Sequence, residues 1–109
     1  INQGYEVKAL VRKGSSTLTI EDTPIERVEG DVRDRESVAR AVRECQAVFH
    51  CAALYTFWSC RAQDLYDINV AGTRAVLEEA KRAGVERVVY TSTVSTIGLP
   101  KNMVGTAFI

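Results

Sequence analysis

The chain has 109 residues, 46% of them hydrophobic and 26% charged, so one globular domain or part of one is expected. Its 14 basic and 14 acidic residues cancel, which excludes the basic footprint of a nucleic-acid binder, and no apolar run approaches the roughly 18 residues of a membrane span. Cys45, Cys51 and Cys60 lack metal-ligand spacing and read as reduced thiols of a cytoplasmic protein.

In chain order, "INQGYEV" reads as the end of a helix, a Gly cap and the start of a strand, so no signal peptide is expected in this stretch. "GTAFI" closes it without a finishing element, so both ends are expected to be cut. A first strand is predicted over about 6–12, ended by Gly14, Ser15 and Ser16. "TLTIEDTPI" is a loop, and "IERVEGDV" is a second, short strand ending near Gly30. "DRESVARAVREC" is a helix capped by Asp34, with Val38, Ala41, Val42 and Cys45 on one face. "QAVFHCAAL" is a third strand, and "YTFWSCR" a loop. The longest helix is expected over about 62–83, its apolar stripe running through Leu65, Ile68, Gly72, Val76 and Ala80, with Gly84 as its stop. "ERVVYTS" is a fourth strand.

Near-continuous apolar strands alternating with helices predict an α/β fold with a parallel sheet covered on both faces. Right-handed crossovers would bring every strand's C-terminal end to one edge, where ligands of open α/β sheets bind. The residues at those ends are therefore the candidates. After the first strand, Arg12, Lys13, Gly14 and the two serines suit a phosphate, although a solvated turn carries the same residues and is the favoured reading of that stretch alone. After the second, Asp34 is accounted for by helix capping, while Asp31 is either a turn residue or an acceptor for an amino group such as adenine's. After the third, the small Ala52 and Ala53 permit close approach of backbone to a ligand; His50 is read as a partly buried histidine tied to backbone. Asn69 is a poor helix former set beside an apolar stripe, which predicts an amide bracing adjacent loops. Tyr55, Phe57 and Trp58 either line a pocket or form the loop's own small core. The fourth strand ends in a row of hydroxyls: Thr91, Ser92, Thr93, Ser95 and Thr96.

In order and spacing, "GDVRD", "VFHCAAL" and "DINVAGTRAVLEEAKRAGVERVVYTSTVSTIG" together resemble the extended short-chain dehydrogenase/reductase family, in its NAD-dependent epimerase/dehydratase and dihydroflavonol reductase-like branch, including hopanoid-associated sugar epimerase-like proteins. The resemblance runs from about Gly4 to Gly98. It implies a Rossmann-type, doubly wound parallel sheet lacking its first strand, so that residues 1–109 form a partial dinucleotide-binding domain without a substrate domain. It also implies a nicotinamide dinucleotide, a small-molecule substrate of undetermined identity, and a homodimer of the full-length protein. Asp31, with Val32 beside it, matches the acidic position that contacts adenine. Ala52 and Ala53 match the small residues near the cofactor's phosphates and ribose, and Asn69 the helix asparagine near the active site. Thr93 matches the catalytic Ser/Thr, with Ser92 as its neighbour in a register shifted by one. Where NAD-preferring members place an acid, this chain has Val11 followed by Arg12, which points to NADP, with NAD as the alternative.

Two parts of the family pattern are missing from the sequence: the Gly-rich turn that binds pyrophosphate, and the Tyr-x-x-x-Lys pair that supplies the acid/base. The leading expectation is thus a piece of an NAD(P)-dependent oxidoreductase or epimerase, inactive by itself. The alternative is a non-catalytic NAD(P)-binding regulatory or interaction module. The sheet lacking its central strand should have unpaired edges and an uncovered apolar face.

Overall fold

The computed structural model describes residues 3–55 and 61–93. Phe57, Trp58, Cys60, Ser95 and Thr96 lie outside the described residues. The elements follow the predicted order: β1 (Lys8–Val11), β2 (Glu26–Glu29), α1 (Arg35–Val42), β3 (Ala47–His50), α2 (Ala62–Tyr66), a π-helical turn (Asp67–Gly72), α3 (Thr73–Arg82) and β4 (Arg87–Tyr90). Each strand is four residues, shorter than its apolar run, because the residues flanking it leave the ladder for turns.

Helix α1 begins where Asp34 accepts a hydrogen bond from the Glu36 amide at 3.1 Å, relieving one of the unpaired N–H groups of the first turn. It ends at Val42, three residues before the predicted Cys45, because Glu44 takes a left-handed backbone (φ 63°) that no helix continues through. The long second helix is continuous in direction but not in winding, since residues 67–72 form a π turn that accommodates one surplus residue.

Both strand pairs are parallel, with Leu10 opposite Val28 in β1–β2 and Val48 opposite Val88 in β3–β4. The sequence predicts one sheet; among the described residues there are two two-stranded sheets with no ladder between them. The break falls where the family resemblance puts a further strand, so β1 and β3 each keep an unpaired edge. Of the predicted two-sided cover, the described residues show one side. Helices α1 and α3 pack on one another, α1 against β1 and β2 and α3 against β3, which places both on one face. Val48 turns to that side, while Phe49 (72% exposed) and Val89 turn outward. Near-continuous apolar strands call for cover on both sides, and the described residues supply one.

The core lies between this face and the helices. Val32, Val38, Val42, Ile68 and Val76 form it, with Leu10, Val48, Leu54 and Val85 packed against it. Burying a side chain such as Val38 contributes about 1.5–3 kcal/mol. At the helix interface Arg35 reaches Glu78 (2.7 Å) and Glu79 (3.3 Å), and Arg82 also binds Glu79 (2.8 Å). Among the described residues, no helix is long and apolar enough to cross a membrane.

Candidate functional site

The segments after the strands converge at one edge. The Gly30 amide donates to Val11 O at 2.9 Å, joining the ends of β1 and β2. The Thr91 amide donates to His50 O at 3.1 Å, joining the ends of β4 and β3. Val32, just past β2, and Leu54, just past β3, share the core cluster with Ile68, bringing the two pairs' ends together.

At the β1–β2 end an open cleft of about 620 Å³ is lined by Arg12, Lys13, Ser15, Asp31, Arg33 and Arg40 among others. Its floor is tight. A Cβ on Gly30 would sit 2.4 Å from Ser37 Cβ and 2.8 Å from Leu10 Cδ1, so only glycine lets the chain pass there. Ser37, fully buried, braces the turn: its hydroxyl accepts from the Asp31 amide and lies 2.9 Å from both Asp31 O and Asp34 O. The Asp31 carboxylate accepts three hydrogen bonds from Arg33: from its amide (2.9 Å) and Nε (3.0 Å) to Oδ1, and from Nη2 (2.7 Å) to Oδ2. The Arg33 side-chain bond holds the Asp31 carboxyl below its ordinary pKa; partial burial opposes this and Arg12 adds to it. Arg12 and Lys13 make no ion-pair contact among the described residues. Val32 turns its side chain into the core, against Gly72, so only the backbone of that position is available to a ligand.

The β3–β4 end is neutral. Ala52 and Ala53 are exposed, as are Ser92 and Thr93. Thr91 Oγ1 lies 3.4 Å from Cys51 Sγ. Asn69 braces a loop as its sequence context predicts: Oδ1 accepts from the Leu54 amide at 2.8 Å and Nδ2 donates to Leu54 O at 3.1 Å. His50 is corrected. It is 3% exposed, and its Nε2 pairs with the Thr73 hydroxyl at 2.9 Å rather than with backbone, while its ring stacks on Tyr90. Burial lowers its pKa.

The structure thus brings Arg12 and Asp31 into one cleft and sets Ala52, Ala53, Asn69, Ser92 and Thr93 around the other pair's end, outside that cleft. Sequence reasoning missed Arg33, Ser37 and Thr73. Their signals were present: an Asp-x-Arg spacing, a serine on the apolar face of α1, and a threonine one helical turn after Asn69.

The donor set of the cleft fits the adenosine end of a dinucleotide. It has two cations with no ion pair among the described residues to meet a phosphate, a carboxylate for an amino group, and a glycine floor that admits close approach.

The profile of the NAD dependent epimerase/dehydratase family matches residues 1–107. The chain is 43% identical over 99 residues to a putative dihydroflavonol 4-reductase of Synechocystis, covering 91% of this chain and 29% of that protein. It is 38% identical over 97 residues to sterol demethylase protein B of Methylococcus capsulatus, covering 89% of this chain and 30% of that one. The crystal structure of UDP-glucose 4-epimerase from Bifidobacterium longum, in complex with NAD+ and UDP, superposes with a TM-score of 0.73 at 30% identity, over 92% of this chain and 33% of the other. The chain therefore spans about a third of the length of these relatives, and its two parallel strand pairs with their helices are an α/β part of the Rossmann-type fold. With the profile matched over nearly every residue, this chain belongs to the NAD-dependent epimerase/dehydratase family.

Proposed function

We propose that this chain supplies the adenosine-binding side and part of the catalytic side of an NAD(P)-dependent oxidoreductase or epimerase that acts on a carbon bearing a hydroxyl or carbonyl. The observation that carries the reading is the shared cleft of Arg12 and Asp31 at the tips of two adjacent parallel strands. In it Arg12 and Lys13 hold a ribose 2′-phosphate, favouring NADP over NAD, and Asp31 with the Val32 backbone faces the adenine. Ala52 and Ala53 border the phosphates and ribose, and Asn69 orients that loop.

The dinucleotide supplies a hydride acceptor or donor when bound. Thr93 hydrogen-bonds the reacting oxygen and Ser92 flanks it. Because the sequence has no Tyr-x-x-x-Lys pair, these 109 residues alone turn over no substrate. The family relatives act on a range of compounds by name, and this chain's own substrate is set by residues beyond those that line the cleft.

The test is a titration of the chain with NADP and NAD, before and after Arg12→Ala. NADP is expected to bind at least about tenfold more tightly, and the substitution to remove most of that preference while leaving NAD unchanged. Preference for NAD by the unaltered chain would overturn the assignment of Arg12.

A further inference from the structure

The π turn has a support beneath it that the cofactor contacts do not explain. In an unbroken α-helix the Thr73 amide would bond the Asn69 carbonyl; here that amide donates to Val70 O instead. The Thr73 hydroxyl takes its place, donating to Asn69 O at 2.7 Å. That hydroxyl has one proton, so its oxygen is left to accept, and His50 Nε2 stands 2.9 Å from it. Above the turn, the Asn69 amide is tied to Leu54 through both its oxygen and its nitrogen. The result is one line of hydrogen bonds from the end of β3, through the helix, to the loop that leaves β3: His50, Thr73, Asn69, Leu54. His50 and Leu54 are four residues apart in the chain, so the line closes on itself and encloses Cys51, Ala52 and Ala53.

We propose that His50 and Thr73 are positioning residues for this loop: neutral His50, protonated at Nε2, fixes the Thr73 hydroxyl, which fixes Asn69, which sets residues 51–54. Every group in the line is neutral and all four residues are partly or fully shielded from water, the setting in which a satisfied network specifies one arrangement and a broken one leaves a costly unpaired group. The consequence for Ala52 and Ala53 rests on the proposed dinucleotide site; the line of hydrogen bonds does not.

The experiment is amide exchange and imidazole NMR on the labelled chain, without ligand. The unaltered chain is expected to show the Nε2–H tautomer of His50. Thr73→Val, which keeps the shape and removes the hydroxyl, is expected to speed exchange of the Leu54 amide about tenfold or more relative to the Val48 and Val88 amides. Thr73→Ser, which restores the hydroxyl, should return Leu54 to its original rate. An Nδ1–H tautomer overturns the proposal, as does an unchanged Leu54 rate in Thr73→Val or an equal rise at every amide. The tautomer is read on the unaltered chain, so it decides even where Thr73→Val does not fold. Addition of NADP separates the two readings. Failure to shift Ala52 and Ala53, with the exchange pattern as expected, overturns the cofactor assignment and leaves the positioning role standing.

Discussion

The two strand pairs end in opposite kinds of chemistry. The β1–β2 end is charged and open, with Arg12, Lys13, Arg33 and Arg40 around the carboxylates of Glu29, Asp31 and Asp34. The β3–β4 end is neutral and internally tied, with His50, Thr73 and Asn69 passing hydrogen bonds to the Leu54 backbone. Exposed ions contribute little to stability but select among charged ligands, whereas buried neutral networks contribute more to order than to recognition. One end is built to discriminate and the other to hold a shape.

That contrast can be broken most severely from below the charged end. Gly30→Ala forces a methyl to within 2.4 Å of Ser37 Cβ, and a loss of about 3 kcal/mol is expected in denaturant unfolding. Next comes Asn69→Ala, which removes two hydrogen bonds from Leu54 and should cost about 2 kcal/mol, read in the same way. If the two ends differ as described, acid should loosen the neutral one first. The folded-state pKa of His50 lies below its ordinary 6.5 because of burial, so the unfolded chain takes up the proton first. His50's contribution is fully present above about pH 6.5 and is lost as the pH falls through the lower folded value. The contribution of Asp31, whose pKa lies below 3.8 chiefly through the Arg33 bond, persists until the pH drops beneath that value. A thermal-melt series across pH should therefore show the first decline as the pH falls below about 6.5, abolished by His50→Gln. The smallest effect is expected from Arg33→Ala. Its melting temperature should match that of the parent at neutral pH, while the Asp31 carboxyl titrates nearer its ordinary value by NMR.

Much of this was legible in the residues. Asp34 announces α1 because a short carboxylate can reach back to the first turn, and the Val38–Val42 stripe gives its buried face. The β-branched runs announce the strands, and parallel pairing follows from their alternation with helices. Asn69 was legible as a brace from its misfit in a helix. The π turn was not, since Ile68 and Gly72 within it keep the four-residue spacing of regular winding, so the periodicity by which helices are read shows no slip. The Arg33 fork was hidden because neighbours two apart in a turn face one another only in a backbone that the sequence does not specify. The unpaired edges left by a missing central strand were foreseen, and of the two-sided cover that the apolar strands announce the described residues supply one face.

The surplus residue between Asp67 and Gly72 also fixes a phase. An α-helix advances about 100° per residue and the wide turn absorbs one of them, so excising any one residue of that turn would restore regular winding while turning the residues left within it to new directions. The stretch is thus intolerant of length change in a way that ordinary surface helices are not, and a deletion there would move the Asn69 carboxamide off its loop without altering a single side chain.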